Sequence, residues 1–404
     1  MTDVKRNIWL KVLTTLIESV AYAMATGTLM QVFLNSIGFS ASQIYLHTTI
    51  NQAAQVIIHF TCSRVGDRGN IFKRFSLLIM AQGASFLFYI PLCIRMQADL
   101  GAYLLLLATG VLNTVAGGLG GLLSYKIPYL IYRVEDYGTV TAACGVLSSL
   151  VSIGVGVGMA ALAERYTYKV IMPWAFPIAA VLIIASGLMQ LYYRPLIDPA
   201  TIQEERSAKK ADWASIWQVI SQPMFYQLAI PGMLRGFSGG MVGVIAVVAA
   251  ADLGYSEQVT TTLVSVRAAA NMIGCLAFGF LSRKANPRHT IFISSLSFVC
   301  LPLLLIPNSP IFFLIMSAVV FFGYQVELSA VPNLLLRIIP GKNAGPYNAY
   351  RLLLNHVGAL LATGLAAVLP SSVMLLMAMV FQIVSGACYC FLPVVRKAAL
   401  AIRR

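Results

Sequence analysis

Apolar stretches of about 20 residues recur from one end of this chain to the other, the length a helix needs to cross the hydrocarbon core of a bilayer. Twelve candidates can be marked in the 404 residues: 8–34, 42–63, 75–95, 101–124, 138–162, 170–192, 223–250, 258–281, 290–306, 310–335, 346–369 and 372–394. Only 10% of the residues are charged and 59% are hydrophobic, whereas a soluble chain carries about 25% charge. No stretch is left over for a sizeable soluble domain. The expected fold class is an all-α polytopic membrane protein.

The connections between candidates are short, with one exception. Residues 193–222 carry Arg194, Asp198, Glu204, Glu205, Arg206, Lys209, Lys210 and Asp212 and divide the chain into two sets of six spans. The expected domains are therefore an N-terminal bundle (1–192), a linker (193–222) and a C-terminal bundle (223–404). Trp213 and Trp217 stand one helical turn apart and predict a short amphipathic helix at the membrane interface.

The formal charge of +14 would suit a nucleic-acid partner if it formed one patch, but it does not. Lys5 and Arg6, then Arg64, Arg68, Lys73 and Arg74, then Arg133, the linker, Arg283, Lys284 and Arg288, Lys342 and finally Arg396, Lys397, Arg403 and Arg404 fall in alternate loops. The other set of loops holds only Arg95, Arg165 and Lys169. This is the asymmetry that places basic loops in the cytoplasm. The reading is a plasma-membrane protein with both termini and the linker cytoplasmic, its surroundings lipid and not nucleic acid. The first apolar segment is too long for a signal core and no small-residue cleavage site follows it.

The two halves repeat one another. Gly38-Phe39-Ser40 returns as Gly254-Tyr255-Ser256, 216 residues on, and the loop at 63–74 aligns with 279–289 at the same offset. Pro128-x-Leu130-Ile131-x-Arg133 resembles Pro332-x-Leu334-Leu335-x-Arg337. Parallel repeats of six spans imply two pseudo-symmetric bundles related by an axis along the membrane normal, with a substrate site between them at midplane.

With these features the chain resembles the major facilitator superfamily. The loop between the second and third spans of that family carries a Gly four residues before Asp-Arg, then a Gly and a basic pair. Here Asp67-Arg68 is present and Lys73-Arg74 follows; Ser63 replaces the first Gly and Gly69 comes one position early. The second copy keeps the Gly, as Gly279, but has Arg283 where the acid would be. The resemblance implies a secondary transporter working by alternating access, with Asp67 and Arg68 in a cytoplasmic gate.

Charges within spans are costly and therefore point to function. Glu18 lies twenty residues before Gly38, and Arg235 nineteen before Gly254, so opposite charges occupy near-equivalent depths. They can neutralise each other or bind substrate; the sequence alone does not separate these. Around Arg235, glycines at 232, 236 and 240 and at 239 and 243 bare one stripe of the helix for close approach. Arg267 lies thirteen residues after Gly254; its counterpart is Asn51. His47, Asn51, Gln55 and His59 form one polar stripe that points to a cavity or a water-filled path, and Asn348, Arg351, Asn355 and His356 give a second polar face. Arg235, Arg267, Asn51, Gln55 and Asn355 are the candidate substrate contacts. Two guanidinium groups favour an anionic substrate, since they hold carboxylate or phosphate bidentately and keep their charge.

Glu18 is the first candidate for proton coupling and Glu327 the second. Desolvation disfavours a charged carboxylate and a nearby arginine favours it, so rearrangement between two states can load and release a proton. A static partner for Glu327 would be Arg337 or Arg351.

Other classes fit less well. No G-x-x-x-x-G-K-[ST] loop supports an ATPase, and no H-E-x-x-H or comparable cluster supports a membrane-embedded enzyme, so no catalytic residue is assigned. The seven cysteines are scattered, which predicts neither a disulfide nor a metal site. No cofactor is called for. The expected partners are a small-molecule substrate, protons and the bilayer, with the chain acting as a monomer. The alternative within transporters is a proton-coupled exporter of lipophilic compounds, in which Glu18 and Glu327 bind cations and the arginines are their resting partners. Compact loops without an N-x-[ST] sequon suit a bacterial membrane.

Overall fold

A computed structural model describes residues 3–61, 70–95, 97–124, 127–131, 134–196, 221, 223–281, 285–306, 309–338 and 344–392. Apart from the one-turn helix Ile127–Ile131, these residues form twelve helical segments. They are α1 (residues 3–36, interrupted at Thr26), α2 (Ala41–Thr61), α3 (Ile71–Arg95), α4 (Leu100–Ser124), α5 (Val134–Ala163), α6 (Tyr168–Gln190), α7 (residues 223–252), α8 (Glu257–Leu281), α9 (residues 287–303), α10 (Pro310–Ile338), α11 (Ala344–Ala366) and α12 (Ser371–Phe391).

Nine of the described helices are long and apolar enough to cross a membrane. Of the other three, α2 is diluted by the polar residues that marked it in the sequence, whereas α9 and the described apolar part of α11, Leu352–Ala366, are shorter. α2 carries the His47–His59 stripe, α11 carries Asn355 and His356, and α9 opens on Arg288 and His289. Large apolar side chains point outward along the spans: Trp174 is 72% exposed and Phe280 68%. In water such a belt would be a liability; against lipid tails it is the required surface.

The chain divides into two compact units, one of Met1–Phe39 with Ile57–Lys210 and the other of Ser40–Val56 with Ala211–Arg404. Phe33, Phe176 and Tyr89 knit the first, with Phe33 edge-on to Phe176 at 5.9 Å and Tyr89 stacked on it at 5.0 Å. In the second, Phe225, Leu228 and Ala229 of α7 bury against Ile291, Val331, Leu334 and Tyr389.

The repeat seen in the sequence sets matching backbone features in each unit. Gly38 (φ 100°) and Gly254 (φ 64°) are both left-handed, a conformation glycine adopts without steric cost, and each turns the chain into its even-numbered helix. Asn70 and Asn286, also 216 apart, are both N-caps: the Asn70 side chain accepts from the Phe72 amide at 3.1 Å and the Asn286 side chain from the Arg288 amide at 3.2 Å. The same offset joins Gly27 (φ 59°), at the break in α1, to Gly243, where α7 gives way to a distorted turn. Both odd-numbered first helices are thus discontinuous at equivalent positions.

Candidate functional site

Two buried polar clusters stand out, one in each unit. In the first unit, Glu18 on α1 is half-buried and faces α6. Its Oε1 accepts from the Ser186 hydroxyl at 2.6 Å and from Gln190 Nε2 at 2.7 Å, and Gln190 also donates to Ser186 Oγ at 3.2 Å. Ser186 and Gln190 are one turn apart and both are buried. Among the described residues no basic side chain lies within ion-pair distance of Glu18. Thr14, Glu18 and Tyr22 share one face of α1. One turn before Glu18, Thr14 Oγ1 lies 3.4 Å from the Tyr193 hydroxyl; one turn after it, Tyr22 donates to Gln82 Oε1 at 2.9 Å.

The second unit holds the opposite arrangement, a compensated pair. Arg235 Nε stands 3.4 Å from Glu327 Oε1, with side chains 5% and 0% exposed, and Gln382 of α12 donates to the other oxygen of Glu327. Arg235 Nε and Glu327 Oε1 make a charge contact without hydrogen-bond geometry. The glycines predicted to allow close approach do so. A Cβ on Gly236 would run into the Asn355 carbonyl, and one on Gly358 into the Met233 carbonyl, so α7 and α11 touch backbone to backbone.

Two questions left open by the sequence are answered among the described residues. Glu327 faces Arg235, while the side chains of Arg337 and Arg351 lie outside the described residues. Correspondingly, the carboxylate that neutralises Arg235 is Glu327, while Glu18 is satisfied by hydroxyl and amide donors. The reason lies in register: Arg235 and Glu327 belong to helices of one unit that meet at the same depth, a relation that spacing along the chain does not encode.

The remaining sites fall as follows. Arg267 is half-buried on α8, its guanidinium 5.5 Å from the centre of the Phe321 ring. Asn51 Nδ2 lies 3.1 Å from His47 Nε2. Gln52, next in sequence, meets His356 Nδ1 through its Oε1 at 3.0 Å, and Thr49 bonds Thr363 at 2.9 Å. Gln55 and Asn355 are half-buried. The residues Asp67 and Arg68, the linker tryptophans and Cys62 lie outside the described residues, as do the side chains of Asn348 and Arg351. Among the described residues no group of three or more His, Cys, Asp or Glu is placed to hold a metal. The sequence reading missed Ser186, Gln190 and Gln382. Amides and a hydroxyl within spans six and twelve, near the end of the former and in the middle of the latter, were the available signal.

Twelve helices in two repeated sets, with glycine turns and asparagine caps at one offset, are the pattern of a known carrier fold, and the family model for the Major Facilitator Superfamily matches residues 12–363. The chain belongs to this superfamily. It is a multi-pass membrane transporter. No curated protein sequence matches it significantly. Among solved structures, this facilitator-family chain is similar to a bacterial homologue of the iron transporter ferroportin in an inward-facing state, with a TM-score of 0.70 and 12% identity over 98% of each chain. It is also similar to a D-xylose-proton symporter, with a TM-score of 0.71 and 12% identity over 97% of this chain and 98% of that one. At such identity the likeness concerns the fold.

Proposed function

We propose that this protein is a proton-coupled secondary transporter that moves a small organic or phosphorylated anion across a bacterial cytoplasmic membrane. The two six-helix halves, 1–192 and 223–404, alternate access, with Asp67 and Arg68 in the gate and both termini and the linker cytoplasmic. The observation that carries the coupling reading is Glu18, an intramembrane carboxyl group held by neutral donors alone among the described residues. Such a group can gain or lose a proton without breaking an ion pair. Glu327 is the second proton site, released when Arg235 moves away. Arg267 is the leading anion contact because its guanidinium rests on an aromatic face and, among the described residues, forms no ion pair with a carboxylate. Asn51, Gln55 and Asn355 supply hydrogen bonds, and Arg235 joins them once Glu327 is protonated. A monomer suffices.

A second reading, a proton-coupled exporter of lipophilic compounds, is favoured by the closure of Arg235 on Glu327. In that reading the arginine is a resting partner and the two carboxylates hold cations.

Thermal stability of the purified protein separates the two, since a ligand that binds the folded state raises the melting point. Stabilisation by carboxylates or phosphates, lost in Arg267→Gln, supports the anion carrier. Stabilisation by lipophilic cations that persists in Arg267→Gln supports the exporter. For coupling, Glu18→Gln in proteoliposomes should fail to accumulate substrate under an imposed pH gradient; undiminished accumulation would overturn the assignment.

A further inference from the structure

The two glycine stripes of α7 admit different neighbours. Gly236 and Gly240 open onto the α11 backbone at Asn355 and Ala359, but Gly239 faces α10, where a Cβ would collide with the Tyr324 hydroxyl. The Tyr324 ring is backed by Phe298, whose ring centre lies 6.2 Å away. Phe321, one turn earlier on α10, carries the Arg267 guanidinium at 5.5 Å, and Tyr324 lies within electrostatic reach of the same arginine. On α8, Arg267 stands two and a half turns before the exposed Leu276 and so points away from the lipid-facing side. Arg267 and Tyr324 are both half-buried. Among the described residues Arg267 forms no hydrogen bond or ion pair, and the Tyr324 hydroxyl has no hydrogen-bond partner. Stacking occupies one face of a guanidinium and leaves its edge N–H donors for an anion. Charge decides which anion. In the interior of this unit's spans, the other charges on described side chains are Arg235 and Glu327, which cancel while their pair is closed. One net positive charge remains, on Arg267. A carboxylate matches it, whereas a phosphate monoester carries about −1.5 to −2 at neutral pH and would leave buried charge unbalanced.

We propose that Arg267 and Tyr324 together bind a single carboxylate group, with Gly239 seating the Tyr324 hydroxyl as the second donor, and that the transported solute is a monocarboxylate. This rests on the reading of the protein as an anion carrier and narrows it. Arg267 supplies the charge and a planar pair of N–H donors. Tyr324 supplies one O–H, placed by the contact between α7 and α10, and a solute is selected by reaching both.

The test is the melting temperature of the full-length protein in detergent, titrated with the sodium salts of lactate, benzoate and phenylacetate, and of succinate, inorganic phosphate and glycerol phosphate, against chloride at constant ionic strength. A saturable rise is expected with a monocarboxylate and not with the phosphates. Arg267→Gln should abolish it. Tyr324→Phe, which keeps the ring, should need about tenfold more ligand. Gly239→Ala should weaken binding as well, and combining it with Tyr324→Phe should weaken it no further, because both act on one hydroxyl; a purely structural effect of Gly239→Ala would add to that of Tyr324→Phe. If Arg267→Gln does not fold, Tyr324→Phe decides. Monocarboxylate binding unaltered in Tyr324→Phe overturns the subsite, and stabilisation by succinate or phosphates alone overturns the substrate class; both results leave the anion carrier standing. No response to any of these anions overturns the proposal, and stabilisation by lipophilic cations in the same protein then removes the anion-carrier reading with it.

Discussion

Arg235 and Glu327 face each other at 3.4 Å with both side chains closed off from their surroundings, so each is the condition for the other's burial. Removing one partner of such a pair leaves an uncompensated charge, at a cost of about 3–5 kcal/mol, whereas removing both is far milder. Arg235→Gln and Glu327→Gln should each lower the melting temperature markedly. The double variant should recover most of the loss, a non-additivity read directly by thermal denaturation. Equal and additive losses would mean that the two side chains act independently. For the same reason, the transport phenotype of Arg235→Gln is interpretable only beside the double variant.

The close approach of α7 and α11 predicts a sharp contrast among glycines. Gly236→Ala and Gly358→Ala force a methyl group against a backbone carbonyl, of Asn355 and Met233 respectively, which no rotamer change relieves. Overpacking of this kind costs about 1–3 kcal/mol. Gly121→Ala, where the new methyl meets nothing within 4 Å, should melt like the wild type or slightly above it, because alanine is the better helix former.

Asn7 is fully buried and ties two backbone segments to α1 in the first unit. Its Nδ2 donates to the Ile131 carbonyl at 3.1 Å and to the Arg194 carbonyl at 2.7 Å, while its Oδ1 accepts from the Arg194 amide at 3.0 Å. Asn7→Ala strands these groups and should destabilise by about 1–3 kcal/mol. Asn7→Asp should be no better, since a carboxylate there would face two carbonyl oxygens. A melting point unchanged in both variants would show that the clamp is replaceable.

The paired caps give a prediction about the repeat itself. Asn70→Ala and Asn286→Ala each remove a side chain that accepts from the first turn of its helix. Each should cost about 0.5–2 kcal/mol, and Ser at either position should restore most of it. Two clearly unequal losses would show that the units, although built on one register, rely on the cap to different degrees.

The sequence by itself determined the class of molecule, the number and approximate ends of the helices, and the repeat. Each depends on local physics. Bilayer thickness fixes the length of apolar runs, and glycine's freedom at positive φ fixes the turns at Gly38 and Gly254. An asparagine side chain at a helix start fixes the caps at Asn70 and Asn286. Glu18, Arg235, Arg267 and Glu327 were also legible, because a charge in an apolar span is conspicuous wherever it points. Their partners were not. Whether Glu18 meets an arginine or the Ser186–Gln190 face of α6 depends on which helices pack together, at what depth and with which face turned inward. The same holds for whether Arg235 closes on Glu327. Those are properties of contacts between residues more than ninety positions apart, and only the tertiary structure decides them.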